Sequence, residues 1–282
     1  MASSLRAKGQ GEGYPTMIPA MDPLLDTDWA TAWRELVERR LAEVGDREAS
    51  DDPWSLRAGR FAARPATRPD PFLGFLDPWL ESRRTLIDVG AGTGRHSVPL
   101  AARLDWVTAV EPSQGMRDRI PPADNMTVIA SAWMDAEPAP ADLAICVHVL
   151  YEVPAPVPFI EKLEASARER VFVVLRDTGH PHPAELYAGP RLGREPGLRD
   201  CFLLLRQLGV VPDVAMFTYC ESHRFGSLDQ AEEECRHLLG QLWDESEGRA
   251  WLEENLQRDE DGTLVHPGAE VSSGVLHWKP RS

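Results

Sequence analysis

The chain has 282 residues, 43% of them hydrophobic and 27% charged, with a formal net charge of −15. That length supports one large domain or two small ones with a full core. The acidic balance argues against nucleic acid as a partner, because gripping phosphates needs a basic face.

Other classes fall away as simply. The basic cluster at Arg57, Arg60, Arg64 and Arg68 reads as a solvated or acid-paired helix face. No run approaches the ~18 apolar residues of a membrane span, and the first residues lack the apolar core of a signal peptide. Cys146, Cys201, Cys220 and Cys235 are dispersed, without C-x-x-C or Cys/His metal spacing. A reduced, cytoplasmic protein without a structural metal is expected. Three lysines against twenty-seven arginines point to a GC-rich bacterial genome.

In chain order, residues 1–25 are rich in Gly, Pro and Ser and are expected to be disordered. Residues 26–80 are expected to form an N-terminal helical lid or cap. Within it, 28–44 is amphipathic, with Trp29, Trp33, Leu36, Val37, Leu41 and Val44 at helical spacing. Shorter helices are expected at 53–61 and 72–80, joined by a Pro-rich link.

From residue 81 to 282 strands and helices alternate, which predicts a parallel sheet with crossover helices. Strands are expected at 85–89, 106–110, 126–130, 141–147, 170–176, 213–220 and 271–278. Helices are expected near 95–103, 113–119, 158–168, 197–208, 227–240 and 247–257, with Ser227 as an N-cap. The fold class is therefore α/β: a Rossmann-like, doubly wound, seven-stranded and mostly parallel sheet with an antiparallel last strand, plus N-terminal helices.

The most informative stretch is 86–94, where an apolar strand carrying Asp88 breaks over Gly90, Ala91, Gly92, Thr93 and Gly94 into a helix. Such a turn brings backbone N–H groups against a ligand at the carboxyl end of a parallel strand. A dinucleotide fingerprint requires G-x-G-x-x-G, and its third glycine would fall on Arg95. An NAD-dependent oxidoreductase is disfavoured for that reason.

The pattern G-x-G-x-G with Asp88 two residues upstream resembles motif I of the class I S-adenosylmethionine (SAM)-dependent methyltransferases. Three further segments share the resemblance. Glu111 ends the second strand, twenty-one residues after Gly90, where a carboxylate can accept both hydroxyls of an unphosphorylated ribose. Pro112, Ser113, Gln114, Gly115 and Met116 resemble the family's turn whose Met lies beside the adenine. The fourth strand, from Asp142 through Val147, His148 and Tyr151 to Val153, resembles motif IV. The chain departs from the family after the third strand, where Ser131 replaces the usual adenine-binding acid. Backbone contacts from Ala132 and stacking by Trp133 could substitute, and Asp135 would need a shifted register.

The resemblance implies SAM as cofactor, S-adenosylhomocysteine as product, and methyl transfer to a small-molecule acceptor by in-line displacement. Its implied cofactor contacts are Asp88, Gly90, Ala91, Gly92, Gly94, Glu111, Pro112, Met116, Ala132, Trp133 and Val147. His148 is the candidate base or orienting group, or else a cap on its strand, and Tyr151 either closes over the methyl or packs. Asp177, His180 and His182 follow the fifth strand at the ligand face and are acceptor-pocket candidates. Two histidines without a third ligand make a poor metal site. Trp54, Arg57 and Phe61 are candidates for a lid over the cofactor, ordinary core packing being the alternative for the two aromatics. The expected partners are a small-molecule acceptor and at most a second copy in a homodimer, with no nucleic acid or membrane. The alternative is a non-catalytic SAM-binding or regulatory protein on the same fold.

Overall fold

The computed structural model describes residues 26–45, 52, 54–55, 58–59, 70–177 and 182–281. Expectations for 1–25, and for Arg57, Phe61 and His180, lie outside the described residues. The sheet is built from β1 (Thr85–Val89), β2 (Trp106–Val110), β3 (Met126–Ile129), β4 (Ala141–Val147), β5 (Ala167–Arg176), β6 (Asp213–Phe225), β7 (Gln257–Arg258) and β8 (Leu264–Trp278). Their order is β3-β2-β1-β4-β5-β8-β6, with β7 pairing on β8. Strands β1 to β5 are mutually parallel, and β8 runs antiparallel to β5, β6 and β7.

The expected α/β sheet with one reversed strand is therefore present, with an eighth strand added. The order reverses between β1 and β4, and ligands of open α/β sheets lie outside the strand ends at that switch. The central strands β1, β4 and β5 are largely buried on both faces, so they read as nearly unbroken apolar runs, whereas β3 at the edge is half-exposed.

Nine helices flank the sheet among the described residues: α1 (Trp29–Val44), α2 (Pro71–Phe75), α3 (Ser97–Ala101), α4 (Gln114–Arg117), α5 (Pro156–Ser166), α6 (Pro183–Ala188), α7 (Leu198–Gln207), α8 (Leu228–Leu239) and α9 (Glu245–Asn255). Helix α1 starts at an Asp28 cap whose carboxylate accepts from the Ala30 and Thr31 N–H groups. Its Trp33 and Val37 join α5 and α7 against one face of the sheet. Phe72 of α2 joins Leu100 and Ala101 of α3 against the other face. The segment 26–80 thus contributes to both layers of the core. Trp33 is 1% exposed, and its truncation to Ala should cost about 3–5 kcal/mol.

Strands β6 and β8 run well beyond the lengths read from the sequence, and their outer ends carry a third cluster. There Phe225 packs with Ala184 and Ala188 of α6, Ala231, Cys235 and Leu239 of α8, and Leu252 of α9. Helix α6 was not foreseen. It has six residues, too few for a periodic pattern, and starts on Pro183 after a His182 cap. Among the described residues no helix is long and apolar enough to cross a membrane.

Candidate functional site

The glycine loop leaves β1 with Gly90, Gly92 and Gly94 at φ of 71°, 57° and 80°, the left-handed region that side chains resist. A Cβ at residue 90 would stand 2.4 Å from Val149 Cγ2, whereas one at 92 meets nothing within 4 Å. Gly90 is therefore required by packing against the end of β4, and Gly92 faces open space on the crevice.

The loop differs from expectation in one respect. The N–H groups of Gly90 and Ala91 both donate to Val110 O, and that of Gly94 donates to Ala91 O. The Gly92 N–H donates to Glu111 Oε2 at 2.8 Å. With these donors spent inside the protein, the loop is a poor cradle for a pyrophosphate. It suits a ligand whose nearby groups are cationic or neutral.

Glu111 accepts from Ser113 N with its other oxygen, also at 2.8 Å. Its carboxylate thus joins the β1 loop to the β2 turn, and each oxygen keeps a lone pair for a further donor. Burial pushes its pKa above the ordinary 4.5, opposed by the two N–H bonds. Asp88 is 1% exposed and accepts from Ser97 Oγ at 2.6 Å; burial raises its pKa as well. It fastens the start of α3 beneath the loop and does not line the crevice. Asp70, capping α2, adds a second tie through Arg95 and His96 at 2.8 and 3.2 Å.

Beyond Glu111, Pro112 is exposed and Met116 is buried, with Ser113 capping α4. The Asp52 carboxylate accepts from Gly115 N at 3.2 Å, and Ser55 Oγ lies 3.1 Å from the same nitrogen, so the N-terminal segment sits on this turn. Trp54 is partly buried there.

Ala132 is exposed after β3, as is Asp135. Trp133 is turned inward. It is 5% exposed, its ring lies 6.2 Å from that of Phe159 and Lys162 covers it at 5.1 Å. The indole completes the core between β4 and α5, so the stacking role expected of it is not supported. Val147 likewise packs into the core on the α2 side.

At the end of β4, His148 has φ 59°, the one non-glycine residue with positive φ among those described. Its N–H still pairs with Val174 O at 2.9 Å, after which the chain turns away from the sheet. Its Nδ1 lies 2.7 Å from Tyr151 Oη, and Tyr151 Oη accepts from Arg176 N at 2.7 Å. Tyr151 is 7% exposed, and burial pushes its phenol well above the ordinary value. It therefore remains a neutral phenol that fixes the His148 ring, not a flap over the methyl group.

A cavity of about 470 Å³ reaches Tyr151 of this pair and is lined by Tyr151, Arg176, Asp177, Arg40 of α1, Glu185 of α6, Gly189 and residues 192–200. The Arg176 guanidinium lies 4.3 Å over the Tyr151 ring and pairs with Glu195 at 2.6 Å. Arg40 pairs with Glu185 at 2.5 Å, and burial raises the Glu185 pKa. Asp177 lines the cavity, bound through both oxygens to Arg199.

His182 does not reach the cavity. It is 2% exposed, accepts from Ala184 N and pairs with Glu234, so it caps α6 and braces the outer cluster. Among the described residues no group of His, Cys, Asp and Glu could hold a metal. Arg176, Arg40, Glu185 and Glu195 are site residues that sequence reasoning missed; the one available signal was a cation at the carboxyl end of a buried strand.

Comparison with known proteins adds the family. No curated protein matches the chain. Among solved structures, the chain resembles a provisionally assigned methyltransferase of Bacillus halodurans at 12% identity, over 76% of this chain and 100% of that one, with a TM-score of 0.49. It also resembles the magnesium protoporphyrin IX methyltransferase of Synechocystis with S-adenosylhomocysteine bound, at 16% identity over 90% and 100% of the two chains and a TM-score of 0.46. Residues 60–208, more than half of the chain, match the family model described as a methyltransferase domain, and the chain therefore belongs to that family, the class I SAM-dependent methyltransferases.

Proposed function

We propose that the chain transfers the methyl group of SAM to a small-molecule acceptor, with the cofactor across the ends of β1 and β2 and the acceptor beside the ends of β4 and β5. The observation that carries this reading is the joined site: an open glycine at Gly92, a carboxylate at Glu111 with spare lone pairs, and His148 at the neighbouring strand end, bonded to the Tyr151 that lines a cavity.

The cofactor supplies a sulfonium-activated methyl group, so the chain has only to align the acceptor and exclude water. The residues fit that cofactor. Gly92 leaves the space that a Cβ would fill, flanked by Gly90, Ala91 and Gly94. Glu111 would accept the ribose hydroxyls, and Pro112, Met116 and Ala132 would border the base. Asp88 acts from beneath, through Ser97. At the reaction centre His148 receives or directs a proton at Nε2 when its Nδ1–H donates to Tyr151 Oη. It donates from Nε2 when the phenol O–H instead donates to Nδ1. Tyr151 thus sets the tautomer. The net charge of −15 favours a small acceptor over a nucleic acid.

Isothermal titration with SAM, followed by transfer of labelled methyl from SAM into a metabolite extract, tests the reading. Tight SAM binding with label entering a low-molecular-weight product is expected. SAM binding without any transfer would favour the non-catalytic alternative, and no SAM binding would refute the assignment.

A further inference from the structure

The cavity that Tyr151 lines, with His148 bonded to the same phenol, is lined by charged side chains, and their pairing is uneven. Arg40 donates to Gly193 O and to Glu185. Arg194 spends two donors on Asp200, and Arg199 spends two on Asp177. Arg176 is different. One nitrogen of its fork is paired with Glu195, but its Nε is buried and has no acceptor among the described residues.

A buried N–H without an acceptor is costly, and a guanidinium offers its Nε and one terminal nitrogen as a fork suited to a carboxylate. The location matters equally. The Arg176 guanidinium is 4.3 Å from the Tyr151 ring centroid, and the His148 ring lies 6.0 Å from that same centroid at an interplanar angle of 13°. A cation with an unused donor and the proton-handling imidazole are thus held against one phenol ring. The inner lining of the cavity balances Arg40 and Arg176 against Glu185 and Glu195, so a monoanion entering it does not meet a net negative wall.

We infer that the methyl acceptor bears a carboxylate that docks on Arg176, placing its nucleophilic atom at His148. This rests on the methyltransferase reading above and deepens it by naming the acceptor's chemical class. The carboxylate is the anchor; the methyl goes to a different atom of the same molecule. Arg176 is then a specificity-determining residue of the acceptor site.

The test uses the full chain saturated with S-adenosylhomocysteine and a panel of small carboxylic acids, aromatic and aliphatic, each paired with its carboxamide. Binding is read by calorimetry and by the Nε–H resonance of Arg176 in protein labelled with ¹⁵N-arginine, assigned from the Arg176→Lys variant. At least one acid should bind about tenfold or more tightly than its amide, the effect of a charge-assisted bond, and should move that resonance. Arg176→Gln should abolish the preference while leaving SAM affinity within about twofold. Should that variant fold poorly because Glu195 loses Arg176 and keeps only Arg40 at 4.0 Å, Arg176→Gln with Glu195→Gln removes both charges and should show the same loss. If SAM binds and no acid outbinds its amide, or if the preference survives in the variants, the carboxylate assignment is overturned and the methyltransferase reading stands. If SAM does not bind at all, that reading fails, and the acid-against-amide comparison on the unliganded chain still decides the subsite.

Discussion

Gly92→Asp separates ligand binding from folding more sharply than any other change at this site. A Cβ at residue 92 meets no protein atom within 4 Å, so the folding penalty is confined to placing a side chain at φ 57°. That costs about 1–2 kcal/mol, and aspartate lies at the low end. For a chain of this size the melting temperature should fall by a few degrees. The new carboxylate projects into the space assigned to the cofactor, beside Glu111, whose Oε2 is bonded to the same residue's N–H. Filling that space and setting a second anion against the first should cost several kcal/mol of binding, a loss of SAM affinity of about 100-fold or more. Calorimetry with SAM and a thermal melt on the same sample provide both numbers. Gly90→Ala is the control with the opposite signature. Its Cβ would clash with Val149 Cγ2 at 2.4 Å, so it should destabilise the fold by about 2–5 kcal/mol, strain and overpacking together. A Gly92→Asp protein that binds SAM within threefold of the wild type would refute the placement of the cofactor on this loop.

Three other outcomes are expected. Tyr151→Phe removes the hydroxyl that bridges His148 and Arg176 N; stability should fall by about 1–3 kcal/mol and turnover by ten-fold or more, with SAM affinity unchanged in a titration. The buried Glu111 has a folded-state pKa above 4.5, so the folded protein binds more protons than the unfolded chain between the two values. Unliganded stability should therefore decline as pH rises through that window, while SAM affinity should increase as the carboxylate ionises, measured by urea titration and calorimetry across pH. In Glu111→Gln the affinity trend should vanish and the stability slope should become shallower, the remainder coming from Asp88 and Glu185, whose pKa values burial also raises. Gly115→Ala places a Cβ 2.3 Å from Ser55 Oγ, displacing the segment anchored by Asp52, whose pKa the bonds from Ser55, Ser113 and Gly115 hold near 2 against the opposing effect of burial. Limited proteolysis should then cut near residue 55 faster than in the wild type, and unchanged cleavage would refute that anchoring.

The glycine-loop half of the molecule, proposed to hold the cofactor, is legible in the sequence because its signals are local. Residues 85 to 117 contain strand, glycine turn, capped helix and Glu111 in one run, each fixed by short-range backbone geometry. The sheet follows from the unbroken apolar strands that a parallel interior requires. The charged cavity proposed to take the acceptor is assembled from distant pieces. Arg40 meets Glu185 across 145 positions, and no spacing rule links a polar helix face to a helix six residues long. Trp133 and His182 mislead for a related reason. Each follows a strand or loop where ligands bind, yet a large indole and an imidazole with two protein partners satisfy themselves more completely indoors. The signal for His182 was Pro183, which marks a first helical turn and makes the preceding residue its cap.

The double grip of Glu111 on Gly92 and Ser113 has a kinetic consequence. The carboxylate proposed to meet the ribose is already locked in place by two backbone donors, so little ordering remains to be done when the cofactor arrives. The entropy cost of arranging the nucleoside site was met during folding, and this half should superimpose closely with and without ligand. Association should accordingly proceed in a single phase limited by encounter, with the residence time set by contacts at the far end of the molecule. Glu111 is, in effect, a hinge pin already driven home, and selectivity among nucleosides is decided at the first collision rather than by later rearrangement.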